Sequence, residues 1–248
     1  MVTMVYRSDF VFAMAVAIFR TMISAFLWRA IYGGGENSYM QGYSYRELVL
    51  YLLLTNATSL IFSFELCFKI GQLVKTGRLT PYLYRPINIL YENLFESIGA
   101  SAISMIVFSA VMLFFDVHGS GNGNLFVLKL LYFVLSYILW VLVLSLIGLL
   151  GFKMIQMWPL KPIMRGLYML FAGILFPLEF LPWKLGGFIK YNPFGLVGST
   201  LTQVVMGRIG RREIESMILG MLLGIVIFYF LYNWLLKKSL KLYEGAGA

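Results

Sequence analysis

Residues 125–150 read LFVLKLLYFVLSYILWVLVLSLIGLL, an apolar run whose single charge is Lys129. A helix needs ~20 such residues to cross a bilayer core, and a run this long has little place inside a chain of 248 residues dissolved in water. Working outward, five more apolar stretches share the rhythm. Together the six fall at about 10–32, 48–67, 91–115, 125–150, 163–182 and 215–236, separated by short polar breaks. Composition agrees. The chain is 60% hydrophobic and 12% charged, against about 25% charged for a soluble domain, and its 17% aromatic content suits membrane–water boundaries. The expectation is an all-α membrane protein of six transmembrane helices, forming one membrane domain over 1–248.

The net charge of +9 is spread as ones and twos beside apolar segments, with no basic stripe, so it speaks for topology and lipid headgroups and against nucleic acid. The 68–90 break holds Lys69, Lys75, Arg78 and Arg85; the 151–166 break holds Lys153, Lys161 and Arg165; the tail adds Lys237, Lys238 and Lys241. The 33–47 and 116–124 breaks are poor in basic residues. Since Lys and Arg gather on the cytoplasmic side, both termini are expected there. Residues 183–214 depart from that rule: Lys184, Lys190, Arg208, Arg211 and Arg212 fall in an expected outer segment.

That segment is too apolar for a solvated loop and too broken for a span. Pro177, Glu179, Pro182, Trp183 and Pro193 punctuate it, and prolines at this density stop helices. Short re-entrant or interfacial pieces between the fifth and sixth spans, on the outer side, are expected. Such backbone is tolerated at membrane depth only inside protein or along a cavity.

The sequence carries no phosphate-binding G-x-x-x-x-G-K-[ST] loop and no hydrolase or metalloprotease motif. One cysteine, Cys67, and one histidine, His118, leave no disulfide and no metal cluster to expect; Cys67 reads as a small buried residue. Asn56-Ala57-Thr58 matches a glycosylation sequon by coincidence, since it falls inside a span. The chain is not expected to be an enzyme. Charges within spans are costly and mark pathways or structural pairs. These are Arg20 near the middle of the first span, Glu65 at the end of the second, and Glu92 with Glu96, one turn apart at the start of the third. Glu92 and Glu96 can pair with the basic 68–90 loop or line an inner mouth. Arg20 needs a partner or a hydrated cavity. Lys129 and Arg29 lie near outer ends, within snorkelling reach of the interface.

Several phrases recur in order: Trp28-Arg29-Ala30-Ile31-Tyr32, Gly42-Tyr43-Ser44-Tyr45-Arg46-Glu47-Leu48, then Gly71-Gln72-Leu73-Val74-Lys75-Thr76-Gly77-Arg78-Leu79. Leu83-Tyr84-Arg85-Pro86, Phe176-Pro177 to Leu181-Pro182 and Asn192-Pro193-Phe194 follow. With six spans, they resemble the permease subunits of bacterial type-2 ATP-binding cassette (ABC) exporters, in a branch with a separate ATPase. The resemblance implies a homodimer or a pair with a similar permease, in the bacterial inner (cytoplasmic) membrane, joined to two cytoplasmic ATPase subunits that bind ATP and Mg. It implies a coupling helix at about 69–86, with Lys69, Lys75, Arg78, Leu79, Tyr84 and Arg85 on the ATPase-facing loop. It also implies two short re-entrant helices after the fifth span. The family's opening interfacial helix has at most Met1 to about Asp9 to occupy. Substrate-facing residues are expected from spans one, two and five, and an aromatic- and Met-rich chain suits an apolar or amphipathic cargo such as a drug, lipid or peptide. Two rivals remain open: an ion-driven secondary transporter, which calls for deep paired carboxylates or a repeat, and a non-transporting scaffold or immunity protein, which needs no ATPase.

Overall fold

The computed structural model describes residues 2–33, 39–84, 88–119, 125–154, 156–182 and 189–241. Arg85 and Trp183 lie outside the described residues. Four helices are long and apolar enough to cross a membrane, at Met14–Ile31, Ile89–Gly119, Phe126–Phe152 and Arg211–Leu240. They belong to α1 (Val2–Ile31), α5 (Ile89–Gly119), α6 (Phe126–Gly148, continued by a 3-10 turn at Leu149–Phe152) and α10 (Arg211–Leu240). The decisive run at 125–150 is α6, and it is the central helix. Two thirds of its spanning stretch (67%) is buried, against 11–22% for the other three. Leu, Val and aromatic residues all round α6 fit a helix with neighbours on every side.

The second and fifth stretches depart from the expected single spans. The second is α2 (Tyr45–Thr58), a non-helical stretch at 59–64, and α3 (Glu65–Lys75). At 14 residues, α2 is about 21 Å long and stops short of crossing. The cause is a run of small polar residues. Thr55, Asn56, Thr58 and Ser59 bond back to the carbonyls of Tyr51, Leu52, Thr55 and Asn56, which competes with helix continuation. The freed carbonyls of Ile61 and Ser63 accept from Ser101 Oγ (3.1 Å) and Trp140 Nε1 (3.3 Å). Broken backbone at this depth is stable because protein donors satisfy it. The fifth stretch is α7 (Leu160–Phe171), closed at Gly173. Gly173 has φ +72° and passes so close to α2 that a Cβ would lie 2.5 Å from Tyr51 Oη; only glycine suits both demands.

Beyond Gly173 come a 3-10 turn (Leu178–Phe180) and two short helices, α8 (Pro193–Val197) and α9 (Ser199–Val205). Pro193 sits in the first turn of α8, and Asn192 caps it by accepting from the amides of Phe194 (2.7 Å) and Gly195 (3.0 Å). Every residue of α9 is buried. Tyr132 of α6 donates to Leu196 O (2.9 Å), and Thr55 meets Thr202 at 2.9 Å, so these pieces fill space that broken α2 leaves. A two-stranded hairpin, Tyr39–Met40 with Tyr43–Ser44, precedes α2. Ser44 and Glu47 then form a capping box at the α2 start. α1 is one unbroken helix, rather than an interfacial helix followed by a span.

Alternating helix directions bring like ends together. One end holds the hairpin, the 3-10 turn and the start of α10, and is called here the hairpin end. The other holds α3, α4 (Thr80–Leu83), the starts of α5 and α7 and the end of α10. It collects Lys69, Lys75, Arg78, Lys161, Lys237 and Lys238, and is the basic end.

Candidate transport pathway and coupling end

The hairpin end is closed by edge-packed rings and a polar network. Tyr43 packs edge-on against Tyr51 and Phe180 (ring centroids 5.9 Å in both), and Trp28 against Phe180 (5.3 Å). Glu179 accepts from Gln203 Nε2, and Tyr43 Oη lies 3.5 Å from the same carboxylate. Arg208 caps the assembly: its guanidinium sits 3.7 Å from the Tyr43 ring centroid, bonds Gly42 O (3.1 Å) and pairs with Glu47 (3.1 Å). Hydrogen bonds from Ser44, backbone first, hold the Glu47 carboxyl below its usual range, against partial burial, with Arg208 adding to the shift. Burial, reinforced by Glu179, pushes the Tyr43 phenol far up, so it stays a neutral donor. Lys190 and Arg211, two cations that broke the charge rule, are held by Glu213 (2.7 Å) and Glu215 (2.8 Å).

Lys129 is corrected outright. It does not snorkel; its side chain is 2% exposed and pairs at 2.8 Å with Asp116 of α5, which is wholly buried. His118, one residue before the α5 end, stacks on Phe114 with centroids 4.3 Å apart.

At the basic end α3 lies across the end of α6. Gly71 of α3 meets Gly151 of the 3-10 turn backbone to backbone, so that a Cβ on Gly151 would overlap the Gly71 Cα. A Cβ on Gly148 would lie 2.9 Å from Ile70 Cδ1. Leu66, Cys67, Phe68 and Ile70 face inward, and Gln72, Lys75 and Thr76 face out. The expected loop residues divide three ways. Lys75 and Arg78 are exposed, and Tyr84 is 86% exposed. Lys69 turns back to form an ion pair with Glu96, and Leu79 is fully buried, so neither offers a free outward surface. Glu92, on the same α5 face as Glu96, is half-buried. Cys67 is buried and unbridged. Pro177 is buried, Pro182 exposed.

Between these ends lies a cleft of about 560 Å3, walled by α1, the broken 59–64 stretch and α7. Arg20 lines it, with Lys161 and Arg165 from α7 and Glu65 from the α3 start. Arg20 and Glu65 stand out in the sequence, whereas Lys161 and Arg165 line the cleft without having been singled out; their i, i+4 spacing in a short span was the available signal. Two smaller cavities, about 280 and 260 Å3, lie behind α3 and between α1, α2 and α5. Among the described residues no group of three or more His, Cys, Asp or Glu could hold a metal.

A helical membrane domain with a cleft reaching mid-depth, a closed opposite end and two broken spans has the architecture of a transporter's membrane subunit. A family model described as ABC-2 family transporter protein matches residues 18–247, nearly the whole chain, and the chain belongs to that family. It is an ABC transporter permease, an integral membrane protein, and not itself the ATPase. No curated protein matches it.

Proposed function

We propose that residues 1–248 form one permease domain of an ABC exporter in the bacterial inner membrane, moving an apolar or amphipathic substrate with ATP and Mg bound by separate cytoplasmic subunits. The permease works as a dimer, with itself or a similar chain, over two ATPase copies. The basic end faces the cytoplasm with both termini, and the 3-10 turn with α8 and α9 acts as a re-entrant plug on the outer side. Family membership supports the partnership. The basic-residue distribution supports the orientation, and three of the cations on the hairpin end, Arg208, Lys190 and Arg211, are paired with Glu47, Glu213 and Glu215.

The observation that carries the coupling role is the seat of α3. Glycine contacts lock it onto the end of α6, while its far edge and α4 present Lys75, Arg78 and Tyr84 outward. A push on that edge reaches the central helix without slack. It also moves the 59–64 stretch, which α3 adjoins directly. Nucleotide would bias a two-state equilibrium through contacts that differ between states. The Lys75→Gln/Arg78→Gln/Arg85→Gln variant is the test. Membrane insertion should persist while the ATPase no longer co-purifies and export falls at least tenfold. Unchanged export with the ATPase still bound would remove the docking assignment.

A further inference from the structure

The cleft has a charge character that its position does not explain. Arg20 belongs to the inward stripe of α1: positions 17, 20, 21, 24, 25 and 28 are buried or half-buried while their neighbours are exposed. Trp28 Nε1 donates to Leu175 O (3.2 Å) and Tyr45 Oη to Ala25 O (3.1 Å), which fixes that rotation of the helix. Arg20 therefore faces protein, not lipid, about 17 Å along the helix from Ile31. Neither Arg20 nor Arg165 has a carboxylate partner among the described residues, and the nearest counter-charge in the cleft, Glu65, lies 4.0 Å from Lys161 and is 83% exposed. Half-buried Arg20 at this depth would be costly unless something anionic or water offsets it, and exposed Lys161 and Arg165 from the first turns of α7 add two more cations against the one carboxylate.

We propose that this cleft binds an amphipathic molecule with an anionic head, a phosphate or carboxylate on an acyl or alkyl chain. The head sits between Arg20 and Arg165, where guanidinium forks match a planar or tetrahedral oxyanion, with Lys161 at the cytoplasmic mouth. The chain lies against Phe12, Val16 and Phe64. Lys161 and Arg165 are one turn apart, and Arg20 stands across the cleft, so the cations form steps leading inward from the basic end. As a cargo class this deepens the transport reading and rests on it; as a binding site it does not.

The test uses the full chain in phosphatidylcholine nanodiscs without any ATPase. Dodecyl phosphate bearing a chain diazirine is photocrosslinked, and the modified peptides are mapped by mass spectrometry beside the matching dodecyltrimethylammonium probe. The phosphate probe should mark residues of α1 and 59–68, at least tenfold more than the ammonium probe. Arg20→Gln/Arg165→Gln should lower that yield at least tenfold, and Arg20→Lys/Arg165→Lys should retain most of it, which separates lost charge from lost fold. Displacement by added phosphatidylglycerol identifies a resident lipid headgroup as the source; displacement only by single-chain alkyl phosphates identifies a mobile amphipath. Equal yields from the two probes, an undiminished Arg20→Gln/Arg165→Gln variant, or full displacement by inorganic phosphate would overturn the proposal. The transport reading fails separately, if no ATPase joins the chain when the probe still binds.

Discussion

The two ends of this membrane domain are built on opposite plans. At the hairpin end, rings pack edge-on against rings, Glu179 meets Gln203, Arg208 meets Glu47, and Asp116 is buried with Lys129. Lys129, Lys190, Arg208 and Arg211 there each meet a carboxylate. At the basic end, Lys75 and Arg78 face outward, the cleft that rises from it is lined by Arg20 and Arg165 without carboxylate partners among the described residues, and packing depends on the absence of side chains at Gly71 and Gly151. On the proposed reading, the closed end holds a state and the open cationic end meets the ATPase.

The comparison breaks most sharply at the buried ion pair. Lys129→Met alone leaves Asp116 buried without its cation and should lower stability by about 3–5 kcal/mol, read as a fall in Tm in detergent; the double variant Asp116→Leu/Lys129→Met should recover most of it. Recovery would show that the pair specifies helix register more than it stabilises. Next is the basic end. Gly151→Ala should cost about 1–3 kcal/mol by overpacking and, more tellingly, should weaken ATPase association even with Lys75 and Arg78 intact. If association is unaffected, α3 does not transmit force through its glycine seat.

Much of this was legible in the sequence. The four unbroken helices follow from apolar runs too long for anything else. The two broken spans did not, because a hydropathy window averages over residues 55–59, where Thr55, Asn56, Thr58 and Ser59 turn their side chains on their own backbone. Two of them, Asn56 and Thr58, also belong to the chance sequon, and α2 ends where this run lies. Arg20 was visible as an anomaly, but its inward rotation depends on Trp28 and Tyr45 bonds to distant carbonyls. The Asp116–Lys129 pair was hidden because its members belong to separate helices, and interfacial lysines ordinarily snorkel.

Smaller changes sharpen the closed end. Arg208→Ala removes the cation over the Tyr43 ring and the Glu47 pair, and should loosen the hairpin by ~0.5–2 kcal/mol, seen as faster amide hydrogen exchange at 39–47. The smallest effect is acid. The Glu47 carboxyl is held below its ordinary value by Ser44 and Arg208, so its stabilisation is present at and above the ordinary glutamate range and is lost as pH falls through the lowered native value. Hairpin exchange should therefore rise only below about pH 4, the ordinary glutamate range, and Glu47→Gln should flatten that rise.

The most direct test of the account is which side of the membrane reaches the cleft. In a Cys67→Ala background, Ser63→Cys places a thiol at the broken stretch and Thr202→Cys places one in the buried plug. A membrane-impermeant maleimide is applied to right-side-out and inverted vesicles without nucleotide. The account predicts labelling of Ser63→Cys only in inverted vesicles and no labelling of Thr202→Cys from either side. Labelling of Ser63→Cys from the outside, or of Thr202→Cys in right-side-out vesicles, would contradict a pathway open at the basic end and closed at the hairpin end.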